Sequence, residues 1–243
     1  MAGHSKWANI RHRKGAQDAK RGKIFTKLIR EITVSARQGG PDETSNSRLR
    51  DAVTKALKAN MKRDTIDNSI KRGVGDLDGA EMIEMRYEGY GPAGVAILVD
   101  CLSDNKNRTV SEVRHAFTKY GGNLGTDGSV AYLFNKQGEI LLAPTAEHER
   151  AMDIAIEAGA DDVLLEGDQL EVVTPADSYH AVLTAFESAG FEVEESQLTM
   201  RAQTSVELPE DKLETLEKLI DALEDLDDVQ EVHSNADFPV ILD

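Results

Sequence analysis

The sequence predicts an α+β multidomain protein: an N-terminal helical domain plus two α+β ferredoxin-like domains, one inserted in the other. Three observations predict it. Apolar residues recur at helical spacing through roughly the first 75 positions. Beyond about Met82 the period changes, and short β-branched or aromatic runs alternate with amphipathic stretches. Within that second part, one run has the order βαββαβ complete by itself, which is the ferredoxin-like plan. The expected domains are 1–78, then 79–136 together with 203–243, with 137–202 as the insertion.

The first twenty residues carry many cations and little apolar periodicity, so they are expected to form a mobile arm that orders on binding. Ile24, Phe25, Leu28, Ile29 and Ile32 make a helical stripe that should end at Gly39-Gly40-Pro41. A second helix is expected from Ser45–Ser47, with Leu49, Ala52, Val53, Ala56 and Leu57 on one face. A third is expected from Asp64 as N-cap to Gly73. Strands follow at Met82–Glu88, Val95–Leu102 and Val130–Phe134. The helix between the last two is announced by a capping box, Thr109 with Glu112. The inserted run reads as strand Glu139–Leu142, helix Ala146–Ala158, a hairpin of Val163–Leu165 and Leu170–Val173 across Gly167-Asp168, helix Ser178–Ser188 and strand Phe191–Leu198. Strand Thr204–Leu208, an amphipathic helix after Pro209 and strand Val229–His233 complete the outer domain. The glycine-rich stretches 89–94 and 121–129 read as turns, and the second lacks the lysine of a phosphate-binding loop.

Charge is the most informative bulk property. The formal net charge is −16, but residues 1–75 hold 18 Lys and Arg against 7 Asp and Glu, a net of +11, and the remainder carries −27. Phosphate affinity comes from clustered cations that displace counterions locally, not from the global sum. Lys6, Arg11, Arg13, Lys14, Lys20, Arg21, Lys23, Lys27 and Arg30 form one candidate nucleic-acid-binding set, interrupted only by Asp18. Lys62, Arg63, Lys71 and Arg72 form a second. Trp7, the single tryptophan, either stacks on a base or packs on its own helical domain. The polar stretch Asn105, Lys106, Asn107 and Arg108 is either a second contact loop or a strand-to-helix turn that satisfies its own backbone.

Catalysis finds little support. The six histidines are scattered, Cys101 is the only cysteine, and no HExxH or GxSxG motif is present. No catalytic residue, metal site, cofactor or small-molecule substrate is expected. No apolar run approaches the ~20 residues of a membrane span, and the amino terminus lacks a signal-peptide core, so the expected location is the cytoplasm.

Several segments together resemble a known family. Met1-Ala-Gly-His-Ser-Lys-Trp-Ala-Asn-Ile-Arg-His-Arg-Lys, Asn60-Met-Lys-Arg-Asp-Thr-Ile and Tyr87-Glu-Gly-Tyr-Gly-Pro are similar to signatures of the YebC/PmpR family. Asp104-Asn-Lys-Asn-Arg-Thr and Gly121-Gly-Asn-Leu-Gly extend the match, with Ser103 where the family pattern has Thr. The family also has mitochondrial members, among them the translational activator of cytochrome c oxidase subunit I. The resemblance implies three domains, one helical and two α+β, and a regulatory role without a cofactor. Members are described as probable transcriptional regulators that bind DNA, or are linked to the ribosome and translation. The expected function is a non-enzymatic nucleic-acid-binding regulator, with DNA or rRNA in the ribosome as partner, and the charge layout favours the ribosome. The alternative is a protein-interaction adaptor that works through its acidic α+β domains.

Overall fold

The computed structural model describes residues 21–75, 82–145, 147–166 and 169–237. These residues form two compact units: the smaller holds 132–205, and the larger holds the stretches on either side of it.

The larger unit begins with three helices, α1 (Arg21–Gly39), α2 (Ser47–Lys58) and α3 (Arg63–Val74). Their apolar stripes meet in one core built on Ile32, Ala36, Leu49, Val53, Ala56, Ile66 and Ile70. Asn46 sets the α1–α2 corner. Its side chain accepts the N–H of Leu49 at 3.0 Å and donates to the carbonyls of Ser35 and Gly40, each at 2.8 Å. The expected cap at Asp64 is corrected: Lys62 holds the N-cap position, and Asp64 lies in the first turn, where its charge complements the helix dipole. Gly73 does not stop α3 but lets it approach α1, since a Cβ there would lie 2.3 Å from the carbonyl oxygen of Thr33.

The same unit continues as an α+β domain. Strands β1 (Ile83–Tyr90) and β2 (Ala96–Ser103) pair antiparallel from Ile83↔Ser103 to Tyr90↔Ala96. Helix α4 (Lys106–Lys119) and the two-residue strand β3 (Asn123–Leu124) follow. After the smaller unit come β8 (Val206–Glu207), α7 (Glu210–Glu224), β9 (Val229–Ser234) and β10 (Ala236–Asp237). The sheet order is β3-β1-β2-β9, while β8 and β10 form a separate parallel pair. One sheet face packs Ile97, Val99 and Cys101 against Val113 and Phe117 of α4 and Leu216, Leu219, Ile220 and Leu223 of α7.

Two expectations fail here for non-local reasons. Val130–Phe134 is not a strand of this sheet: Ala131–Leu133 is a 3-10 turn, and Phe134 opens a strand of the other unit. The vacant edge is taken by β3, inside the stretch read as a turn. Gly89 faces Leu124 there, and a Cβ on Gly89 would sit 2.7 Å from the carbonyl of Asn123. The buried carboxylate of Glu88 anchors the following loop by accepting the N–H groups of Gly128, Val130 and Ala131, each at 2.7 Å. The capping box also gives way. Helix α4 starts earlier, with Asn105 as N-cap, and Thr109 is buried with its hydroxyl oxygen 2.9 Å from the carbonyl of Asn105.

The smaller unit contains β4 (Phe134–Leu142), α5 (His148–Ala158), β5 (Asp162–Glu166), β6 (Gln169–Pro175), α6 (Tyr179–Ser188) and β7 (Val193–Ala202). Its sheet order is β5-β6-β4-β7 with every pairing antiparallel, the ferredoxin-like arrangement. Ile140, Leu142, Leu170 and Val172 face Ala151, Ala155, Val182 and Phe186 of the two helices. Phe134 pairs with Ala202, so the chain enters and leaves this unit side by side, as an inserted domain must.

Candidate nucleic-acid interface

Lys6, Trp7, Arg11, Arg13, Lys14 and Lys20 lie outside the described residues, and Arg21 opens α1. The next three cations, Lys23, Lys27 and Arg30, recur along one face of α1 and meet the end of α7. Lys23 Nζ donates to the carbonyl of Asp225 at 2.9 Å, and Lys27 Nζ to that of Glu224 at 2.6 Å. Arg30 Nη1 donates to the carbonyl of Asp227 at 2.6 Å and to Asp228 Oδ1 at 3.0 Å. A helix C-terminus presents unsatisfied carbonyls and the negative end of the helix dipole, so cations satisfy it. Burial pushes the Lys27 ammonium below its usual lysine value, against the opposing pull of Glu224 and Asp225.

Asp228 is the centre of this contact, with its side chain only 2% exposed. Arg108 reaches it through Nε at 3.0 Å and Nη2 at 2.9 Å, and the Thr109 hydroxyl donates to it at 2.9 Å. Burial alone would raise its pKa. Hydrogen bonds from Thr109, Arg108 and Ser103, with the Arg108 charge, outweigh that and hold it below the ordinary aspartate value.

Lys23, Lys27, Arg30 and Arg108, expected to face phosphate, each donate to a partner within the chain. For Lys23, Lys27 and Arg30 the partners lie at and just beyond the end of α7, while Lys23 and Arg108 stay exposed. Asn105 likewise caps α4, accepting the N–H of Arg108 at 3.1 Å. Lys106 and Asn107 are exposed in the first turn of that helix.

The second cluster is differently placed. Lys62, Lys71 and Arg72 are exposed and form no ion pair among the described residues. Lys62 precedes α3, whereas Lys71 and Arg72 occupy its last turn, about 14 Å further along the axis. Arg63 is half-exposed and shared between Glu43 at 2.6 Å and Asp67 at 2.9 Å, which reduces its availability to an outside anion.

Sequence reasoning missed Asp228. It stands in the run Glu224-Asp225-Leu226-Asp227-Asp228, which carries no local sign that its last carboxylate is buried. It also missed Glu139 and Glu171, which the inserted sheet buries around Arg201. Among the described residues, no group of three or more His, Cys, Asp or Glu is placed to hold a metal ion. No helix among them is long and apolar enough to cross a membrane.

The described residues join a helical head to α+β domains, and the comparisons place this arrangement in a family whose members carry regulatory names. A family model described as the TACO1/YebC protein N-terminal domain matches residues 5–76, and one described as the TACO1/YebC second and third domain matches 82–236. The chain belongs to the TACO1/YebC family, as its amino-terminal signatures lead one to expect. A Legionella pneumophila (strain Paris) relative called "Probable transcriptional regulatory protein lpp1249" is 72% identical over 98% of this chain and 96% of its own. A relative of the same description from Idiomarina loihiensis is 59% identical over 98% of this chain and 96% of its own. The crystal structure of a conserved hypothetical protein, Aq1575 from Aquifex aeolicus, aligns with a TM-score of 0.80 and 44% identity, covering 93% of each chain.

Proposed function

We propose that this protein is a non-enzymatic regulator of gene expression that grips nucleic acid with its basic helical head. The observation that carries this reading is the separation of sign, +11 over residues 1–75 against −27 over the rest. The exposed, unpaired Lys62, Lys71 and Arg72 of the described head support it. The remaining −27 opposes any broad contact with a duplex. That favours a local grip within a folded RNA such as rRNA, where a cationic arm and one helix end enter while the acidic domains face away. A second reading, a DNA-binding transcriptional regulator, is favoured by the names of the relatives.

The test is co-sedimentation of the intact protein with ribosomes over a salt series, beside titration of a duplex DNA library under the same conditions. Binding to ribosomes that weakens steeply with salt, with weak and sequence-independent duplex binding, is the expected result. Tight binding to a defined duplex without ribosome co-migration selects the second reading. Binding to neither refutes both.

A further inference from the structure

We infer that the outer edge of the inserted domain, formed by β5 and the exposed side of α5, is a docking site for an extended cationic segment of another protein. Three large apolar side chains are exposed there: Met152 at 44%, Ile156 at 69% and Leu165 at 53%. Met152 and Ile156 lie one helical turn apart, on the side of α5 away from the buried Ala151 and Ala155. Leu165 shares its strand face with Val163, which packs on the core beneath the helices, and pairs with the buried Leu170.

β5 also presents an open strand edge. β5 ends the sheet order β5-β6-β4-β7 and has no outer neighbour among the described residues. Such an edge presents alternate backbone N–H and C=O groups that can receive an added strand. Charge selects the occupant. Glu149, Asp153 and Glu157 follow the apolar stripe along α5, and Asp161 and Asp162 lead into β5, all exposed. A second copy paired edge to edge would set these carboxylates against their own kind, and a nucleic acid or anionic lipid would be repelled in the same way. A strand alternating apolar and lysine or arginine residues satisfies all three features. Its backbone extends the sheet, its apolar side chains cover Leu165 and Ile156, and its cations reach the carboxylates.

The probe is a short labelled peptide alternating valine and lysine, titrated into the full-length protein at moderate salt. Two controls accompany it: a valine–glutamate peptide, and a block peptide of the same valine and lysine content without alternation. Binding of the alternating peptide is expected, weakened roughly tenfold or more by Ile156→Lys, by Leu165→Lys and by the block order. Met152→Lys serves as a further exposed variant, and thermal unfolding confirms that each is folded. Absence of binding, equal affinity for the block peptide, or unchanged affinity in all three variants overturns the proposal. The site is independent of the basic head, so these variants should leave nucleic-acid binding unaltered.

Discussion

Asp228 shows how one buried carboxylate organises two parts of the larger unit. It joins Arg30 from the helical head to Arg108 and Thr109 from the α+β domain. Removing one member of a buried ionic cluster leaves its partners uncompensated, at a cost of about 3–5 kcal/mol when all are buried. Arg108 is 42% exposed and can rehydrate, so Asp228→Ala should destabilise the unit by about 2–3 kcal/mol, read as a shift in its urea unfolding midpoint. Asp228→Asn keeps an acceptor and should lose less. Asp100 supplies a pH-dependent counterpart. Burial would raise its pKa, but hydrogen bonds from His233 and Arg86 hold it at about 2. The folded value lies below the unfolded one, so its contribution is present above the ordinary aspartate range and is lost as pH falls towards 2. Wild-type protein should therefore exceed Asp100→Asn in stability by roughly 1–2 kcal/mol at neutral pH, and the gap should close as the pH drops from about 4 to 2. Unfolding midpoints of both proteins across that range check this.

At the scale of elements, the contact of α1 with α3 depends on Gly73. In an exposed helix, Gly→Ala stabilises by up to about 1 kcal/mol. Here the new Cβ would meet the Thr33 carbonyl oxygen at 2.3 Å, and backbone cannot yield as a flexible side chain does. Gly73→Ala should therefore destabilise the head by about 1–3 kcal/mol, and thermal unfolding of the intact protein gives the sign directly. The end of α7 is decided in the same non-local way. Its last turn has no basic residue of its own, and α1 supplies Lys23 and Lys27 instead, with Arg30 bonding the turn that follows. The stripes of α1 and α2, legible at helical spacing, told which faces are buried. The cations on the other side of α1 could not be sorted into solvent-facing and α7-facing, because both kinds look alike along the chain.

At the scale of the whole molecule, three ion pairs among the described residues join the helical head to the α+β domain. Arg30 meets Asp228, Arg48 meets Glu84 at 2.5 Å, and Lys55 meets Glu231 at 2.8 Å. The inserted domain has its own core and adjacent entry and exit strands. A fragment of residues 132–205 should therefore fold alone, with cooperative thermal unfolding and dispersed amide resonances. The charge layout makes a prediction of its own. Replacing Lys62, Lys71 and Arg72 with Ala should lower the log–log salt dependence of nucleic-acid binding by about 2–3, as should Arg11, Arg13 and Lys14 to Ala. Neutralising acidic residues of α7 should leave that slope unchanged, and titrations across a salt series measure all three.

The amino-acid sequence alone determined the α+β class, the βαββαβ insertion and the segregation of charge, because periodicity and local composition are written in neighbouring residues. Its signatures were also enough to point to the family. Tertiary structure decided what no neighbour reveals: that Asn123–Leu124 becomes a strand, that Asp228 is buried, and that Lys23 and Lys27 cap a helix. Arg30 and Asp228 lie 198 positions apart, and only folding turns that separation into a contact.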